Sequence, residues 1–281
     1  MNDGQLFRYA AFTTVPTGGN PAGVWVGDVH PDEATMQRIA AEVGYSETAF
    51  IAPATGMART VRYFSPKAEV PFCGHATIAA GIVLGEQDGE GRYRFATPAG
   101  EVPVDVQTRD GRRVAAHTPA ATRHAAPDDA LLDGALAALR WGRGELDPAI
   151  PPARAYAGAW HLVLAVRRRE RLAALDYDFG ALLALMLARD LTTLQLAWRE
   201  DATVFHARDP FPVGGVVEDP ATGAAAAALG GYLRDAGIVS PPVSLTIHQG
   251  VDMGRPSLIA VDVPPSGGIV VRGSAVPIAP P

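Results

Sequence analysis

The sequence contains almost no cysteine, and this scarcity excludes disulfide stabilisation. Cys73 is the only cysteine in 281 residues, so the chain can form no intramolecular disulfide and has no CxxC pair. Met1 is not followed by the basic and apolar regions of a signal peptide, and no apolar run approaches the length of a membrane span. We therefore predict a soluble, cytoplasmic protein that does not contact a membrane.

Several motifs that bind cofactors or carry nucleophiles are also absent. The sequence has no GxxxxGK[ST] phosphate loop, no GxGxxG after a strand and no GxSxG elbow. Its seven histidines show neither HxxxH nor HExxH spacing, so we expect no metal site. The net charge is −6 and the basic residues form no long run, which argues against a nucleic-acid partner. The sequence thus predicts a globular protein without a cofactor.

The sequence does contain an internal repeat. YFSPKAEVPFCGHATIAA in the first half matches RDPFPVGGVVEDPATGAAA in the second, and each stretch passes through a Gly/Pro turn into an Ala-rich run. Pairing Cys73 with Pro220 also pairs His75 with Thr222, because 220 − 73 and 222 − 75 are both 147. Strand-like segments surround both runs in the same order. Since the chain is long enough for two cores, we predict two similar domains joined by a linker at residues 118–130.

The two Ala-rich runs predict helices whose first turns could bind an anion. One helix is predicted over residues 74–84, and the other is predicted to start with Asp219 as its N-cap and Pro220 as its first residue. A helix start leaves backbone N–H groups free and carries the positive end of the helix dipole. We hypothesise that the two helix starts face one another and together hold a carboxylate.

Four side chains, those of Cys73, Glu47, His75 and Asp219, are candidates for acid/base or nucleophilic chemistry. Cys73 would need a base, but His75 lies two residues away and is expected to point elsewhere, so a small buried residue is the favoured interpretation. Glu47 lies in the predicted strand SETAFIA, where partial burial would raise its pKa. His75 at a helix start would favour a neutral imidazole. The alternatives are an outward-facing Glu47, a core His75 and an Asp219 that only caps a helix.

Several long stretches resemble one known family. They are FTTVPTGGNPAGVWVG, GYSETAFI, RYFSPKAEVPFCGHATIAA, FATPAGEVPVDV, VVEDPATGAAAAALGGYL, IHQGVDMGRPS and GGIVVRGSAV. In these the chain resembles the phenazine-biosynthesis PhzF-type isomerases, which share the diaminopimelate epimerase fold. The resemblance implies an α+β fold of two similar domains, each a curled, barrel-like mixed β-sheet around a central helix. The domains would be residues 1–117, completed by 268–281, and residues 131–267, with the active site in the cleft between them.

The resemblance also implies which residues act. Glu47 matches the glutamate that takes a proton from one carbon and returns it to another, and His75 and Asp219 match its assisting residues. The epimerase relatives use two opposed cysteines, but Pro220 stands at the second position, so two-thiol racemisation is excluded. Family members in phenazine synthesis resemble DPATGSA, whereas this chain has Ala224 at the serine position, so we expect a different carboxylated substrate. The expected substrate contacts are Asn20, Gly74, Thr222, Gly223 and Ala224.

The expected function is therefore a cofactor-independent isomerase of a small carboxylated compound that works as a homodimer. One alternative is a binding protein of the same fold that has lost turnover, for which Ala224 is the only support. A cysteine-dependent hydrolase is a further alternative, and it predicts that Cys73→Ser is inactive. Under the isomerase hypothesis we expect Cys73→Ser to remain active.

Overall fold

The computed structural model of the chain describes residues 4–279, which divide into two compact units. The first unit runs to Thr118 and also includes the chain from Arg272 onward, and the second is Pro119–Val271. None of the helices formed by the described residues combines the length and apolar character that a membrane crossing needs.

Residues 4–279 form eighteen β-strands and six α-helices. In chain order these are β1 (Gln5–Ala11), β2 (Asn20–Val26), α1 (Glu33–Val43), β3 (Glu47–Pro53), β4 (Ala58–Phe64), β5 (Glu69–Val70), α2 (Gly74–Gln87), β6 (Gly91–Thr97), β7 (Gly100–Arg109), β8 (Arg112–His117), β9 (Arg123–Ala125), α3 (Asp129–Leu139), β10 (Ala153–Tyr156), β11 (Trp160–Val166), α4 (Arg169–Ala173), α5 (Phe179–Ala188), β12 (Thr193–Arg199), β13 (Val204–Pro210), β14 (Glu218–Asp219), α6 (Gly223–Asp235), β15 (Val243–Gln249), β16 (Ser257–Val263), β17 (Val270–Gly273) and β18 (Ala275–Pro277).

The first unit is a mixed sheet curled around helix α2. Its strands follow the order β18-β1-β2-β3-β4-β6-β7-β8, with β5 added to β4. The pairs β2/β3 and β4/β6 are parallel and the others are antiparallel. Helix α2 contacts β1 and β2 as well as β7 and β8. Because one helix touches strands far apart in the order, the sheet must curl around it.

Small side chains allow α2 to lie this deep. Its residues from His75 to Gly85 are all buried, and five of these eleven residues are Ala or Gly. A Cβ atom on Gly81 would lie 2.9 Å from Cβ of Ala115 and 3.0 Å from Val104. Those distances are shorter than a normal carbon contact, so the strands approach the helix at a point where only glycine fits.

The second unit repeats this plan around helix α6. Its strands follow the order β9-β10-β11-β12-β13-β15-β16, with β14 added to β13. The pairs β11/β12 and β13/β15 are parallel, as are the corresponding pairs of the first unit. Helix α6 contacts β9, β10 and β16, so this sheet is also curled. The predicted α+β class and the repeat of a curled mixed sheet around a central helix are both confirmed.

Three details differ from the sequence predictions. The segment 118–130, predicted as a linker, contains β9 and ends at Asp128, which caps α3. Helix α6 begins at Gly223 with Thr222 as its N-cap, so the predicted start at Asp219 and Pro220 is wrong. Counted from the helix starts, Cys73 corresponds to Thr222 rather than to Pro220, since 223 − 74 is 149. Asp219 belongs to β14 because it pairs across strands with Asp209.

Candidate active site

Glu47 is a carboxylate largely withdrawn from water. It is the first residue of β3, and its side chain is 18% exposed. Burial raises the pKa of Glu47 above its usual 4.5, while hydrogen bonds from Ser46 and from the Cys73 thiol partly offset this. A carboxylate whose pKa moves toward neutrality is a better proton acceptor at physiological pH than an ordinary glutamate.

His75 lies beside this carboxylate, in the first turn of α2. Its Nε2 atom is 3.5 Å from Oε2 of Glu47 and 3.3 Å from the Ser46 hydroxyl. On the other side of the ring, the Asn20 amide lies 3.3 Å from Nδ1. Polar neighbours at both ring nitrogens fix the orientation of the imidazole. Asn20, Glu47 and His75, with Gly74 directly before the histidine, therefore lie together in the structure.

The turn before β2 explains how Asn20 reaches the histidine. Gly19 has a positive φ of 65°, a conformation that side chains disfavour. A Cβ atom there would also lie 2.4 Å from the carbonyl oxygen of Ala11 and 2.6 Å from Thr13. The tight turn folds the chain back along β1, so that buried Asn20 starts the next strand at this point.

Cys73 is closer to the acid/base groups than the sequence reasoning allowed. Its Sγ atom is 3.3 Å from Nδ1 of His75 and 3.5 Å from Oε2 of Glu47. The expectation that residues 73 and 75 point in different directions is wrong, because the backbone changes conformation between them. Cys73 is an extended N-cap residue, with φ of −145° and ψ of 116°, whereas His75 is helical. The i, i+2 rule applies only within one regular element.

These three residues also form a group of potential metal ligands. One donor atom from each of Glu47, Cys73 and His75 lies within 4.8 Å of the others. Ligand spacing along a single segment does not indicate this group, because Glu47 comes from a different strand than Cys73 and His75.

In the second unit, the predicted residues gather at the start of α6. The Thr222 hydroxyl donates to Oδ2 of Asp219 at 2.6 Å. The Gln249 amide nitrogen donates to the Asp219 carbonyl at 2.9 Å and to Thr222 Oγ1 at 3.0 Å. Gly223 and Ala224 are the first two residues of the helix. The start of α6 is therefore fixed by the hydrogen bonds among Asp219, Thr222 and Gln249. It is not capped by Asp219, in contrast to the prediction from the sequence.

Asp209 is a functional candidate that the sequence reasoning missed. Its side chain is fully buried in β13, directly opposite Asp219 in the register of β13 and β14. Burial is the main cause that raises the pKa of Asp209 well above 3.8, and the nearby Asp219 charge raises it further. Such a carboxyl is held toward its proton-bearing form and can donate a hydrogen bond. The available signal was an acidic residue within a strand, the same signal that identified Glu47.

The comparisons with known proteins agree with this fold. The model of the family described as phenazine biosynthesis-like protein, PhzC-PhzF, matches residues 9–279. A trans-2,3-dihydro-3-hydroxyanthranilate isomerase of Pseudomonas fluorescens is 33% identical over 89% of this chain and 86% of its own length. A PhzF-family protein of Bacillus anthracis superposes with a TM-score of 0.87 at 24% identity, covering 98% of this chain and 96% of its own. A hydroxyproline epimerase of Agrobacterium vitis superposes with a TM-score of 0.66 at 14% identity. The superposition covers 99% of this chain and 92% of that protein's chain.

Two curled sheets, each around a central helix, place the chain in the diaminopimelate epimerase-like fold class, as predicted. Within that class the chain belongs to the PhzC-PhzF family. The family carries isomerases, so the prediction that this chain is an isomerase is confirmed at the level of the enzyme class.

Proposed function

We propose that the chain catalyses a cofactor-independent proton shift between two carbons of a small carboxylated substrate, with Glu47 as the acid and base. The observation that carries the proposal is the Glu47 carboxylate, whose pKa is raised by burial and whose neighbours are His75, Ser46 and Cys73. The raised pKa suits a group that must both accept and return a proton near neutral pH.

One carboxylate is sufficient for this reaction. Glu47 takes a proton from a carbon α or vinylogous to a carbonyl or carboxyl group, and the electron pair moves into the conjugated system. The protonated Glu47 then gives the same proton to another carbon on the same face. Racemisation by opposed thiols needs a group on each face, and a chain with one cysteine cannot supply two thiols. We therefore propose a one-base isomerisation on this fold.

In this proposal His75 orients Glu47, and the helix turn that carries His75 stabilises the substrate. Its ring lies 3.5 Å from the Glu47 carboxylate and is held by Asn20 and Ser46, so it orients the carboxylate. The first turn of α2 contributes backbone N–H groups and the positive end of the helix dipole, which stabilise the negative charge that develops on the substrate. Asp219 is proposed as a further assisting residue, and Asn20, Gly74, Thr222, Gly223 and Ala224 as substrate contacts.

We propose a substrate that shares the unsaturated carboxylate chemistry of trans-2,3-dihydro-3-hydroxyanthranilate without being that compound. Ala224 lacks a hydroxyl that the resemblance places at this position, and the loss of one such hydrogen bond costs roughly 1 kcal/mol of binding. The homodimer and the cytoplasmic location remain proposals.

The test is a search for proton exchange in deuterated water. The full chain is incubated with small unsaturated and α-substituted carboxylates, trans-2,3-dihydro-3-hydroxyanthranilate included, and deuterium incorporation is followed by NMR. The proposal predicts incorporation at a carbon conjugated with the carboxyl group of at least one compound. Calorimetric binding without incorporation across the panel would instead support the alternative of a binding protein.

A further inference from the structure

Glu47, Cys73 and His75 supply three different kinds of metal ligand at one point of the first unit. A carboxylate oxygen, a thiol sulfur and an imidazole nitrogen lie within 4.8 Å of one another. The Glu47 side chain is 18% exposed, so a small ion from solvent can reach the group.

The spacing of the three donor atoms fits a tetrahedral zinc ion. Ordinary bond lengths of about 2.3 Å to sulfur and about 2.0–2.1 Å to nitrogen and oxygen place tetrahedral ligand atoms roughly 3.3–3.6 Å apart. Here Sγ of Cys73 and Nε2 of His75 are each 3.5 Å from Oε2 of Glu47. The same Sγ and Nε2 atoms are 3.8 Å apart. Sγ now lies on the Nδ1 side of the ring, 3.3 Å from that atom. A change of the Cys73 χ1 rotamer is therefore needed to bring all three donors to one ion at Nε2.

The surroundings of His75 suit a ligand that binds through Nε2. The Asn20 amide nitrogen lies 3.3 Å from Nδ1. A half-turn of the amide group, which exchanges its nitrogen and oxygen, lets the oxygen accept a hydrogen bond from Nδ1–H. That arrangement fixes the tautomer that leaves the Nε2 lone pair for an ion, as outer hydrogen bonds do in known metal sites. Ser46 Oγ, 3.3 Å from Nε2, is a further oxygen beside the same position.

The chemistry of the donor set selects the ion. Thiolate and imidazole favour zinc-like, thiophilic cations, whereas magnesium and calcium prefer all-oxygen sites. Three protein ligands leave the fourth tetrahedral position for water or an anion. We propose that Glu47, Cys73 and His75 form a reversible inhibitory site for Zn²⁺ or a similar thiophilic divalent cation. On binding, the Cys73 thiol releases its proton to solvent, and the Glu47 carboxylate becomes a ligand that is no longer available as a base.

Cobalt(II) is the probe for this site, and its readout needs no substrate. Titration of the full chain with Co²⁺ should give a thiolate-to-cobalt charge-transfer band and the intense visible bands of a four-coordinate ion. Zn²⁺ should displace the cobalt. Cys73→Ser should abolish the charge-transfer band, and His75→Gln should weaken Co²⁺ binding at least tenfold. Because binding is measured directly, this experiment is independent of whether the isomerase proposal holds.

The matched control is His248→Gln. His248 stacks on His206, beside Glu200, and this pair could also attract a divalent ion. The control should keep the charge-transfer band and the wild-type affinity. If Cys73→Ser fails to fold, His75→Gln tests the same prediction. The proposal is overturned if no charge-transfer band forms, or if Zn²⁺ binds the Cys73→Ser and His75→Gln variants as tightly as it binds wild type.

Discussion

At the scale of single residues, the candidate site rests on the contacts among Glu47, His75 and Cys73. An acidic residue in an apolar strand and a histidine at a helix start are local signals, so both could be found without a structure. The approach of the Cys73 sulfur to Glu47 depends on how β3 meets the start of α2, 26 residues later in the chain. Asp209 was missed because only its strand partner Asp219 was weighed.

Cys73 is expected to support the site rather than to carry the reaction. Cys73→Ser keeps a short side chain that can donate a hydrogen bond to Glu47, so we expect its exchange rate to stay within about tenfold of wild type. The measurement is the deuterium-exchange rate of the variant on a compound that wild type exchanges. Complete loss of exchange in a folded variant would contradict this and would show that the Cys73 thiol takes part in the proton transfer.

Asp209 is expected to make the chain less stable as pH rises. Its folded-state pKa is raised above 3.8, so the folded chain holds the proton where the unfolded chain has already lost it. The free energy of unfolding therefore falls as pH rises from about 4 toward the folded pKa. Asp209→Asn removes the titrating carboxyl group. In urea titrations, the free energy of unfolding of this variant, relative to that of wild type, should therefore increase with pH.

The matched control for this comparison is Asp28→Asn, at an exposed position of the same residue type. It should follow the wild-type dependence of stability on pH. An Asp209→Asn variant whose stability parallels wild type from pH 4 to pH 8 would contradict the buried, proton-bearing state of Asp209.

At the scale of elements, both Ala-rich helices were predicted, but one start was misplaced. Asp followed by Pro has the local chemistry of a helix start. In the structure Asp219 pairs with Asp209 across β13 and β14, and its carboxylate accepts the Thr222 hydroxyl hydrogen bond. Tertiary strand pairing thus outweighs the local capping preference, and no pattern within the segment reports that pairing.

Gly81 in α2 should be sensitive to added bulk. Its Cβ position is already within 3.0 Å of Ala115 and Val104, so Gly81→Val forces the strands away from the helix. We expect a loss of about 1–3 kcal/mol in the free energy of unfolding, measured by urea denaturation. Gly144→Ala is the control, because nothing lies within 4 Å of a Cβ there and the change should stay within about 0.5 kcal/mol. Equal effects of the two substitutions would refute the close packing of α2.

At the scale of the whole molecule, the repeat was visible in the sequence and the strand order was not. The order of turns, strands and Ala-rich helices recurs along the chain, so two similar sheets around two helices could be predicted. The parallel pairs β2/β3 and β4/β6 join strands separated by a helix, and the sequence pattern alone does not fix such pairings. The same limit applies to β18, which returns from the end of the chain to pair with β1.

His117 should make the whole chain sensitive to acid. It is buried, and within residues 4–279 neither ring nitrogen has a hydrogen-bond partner. Burial lowers the pKa of His117 from 6.5 to about 4, so the unfolded chain binds a proton first as pH falls. The free energy of unfolding should therefore fall by about 3 kcal/mol for this group between pH 6.5 and about pH 4.

The test compares two histidine variants in urea titrations. His117→Leu should lack this loss of stability, whereas His124→Gln, at an exposed position, should retain it. Identical acid profiles for His117→Leu and wild type would contradict this.

The central claim is that Glu47 carries the proton, and its direct test is the exchange rate of Glu47→Gln. The measurement is deuterium incorporation, followed by NMR, into a compound from the carboxylate panel that wild type exchanges. The control is Glu42→Gln, an exposed carboxylate on α1 that pairs with Arg38. We predict that Glu47→Gln loses at least about 100-fold in exchange rate while Glu42→Gln matches wild type. Exchange by folded Glu47→Gln at the wild-type rate would contradict the account.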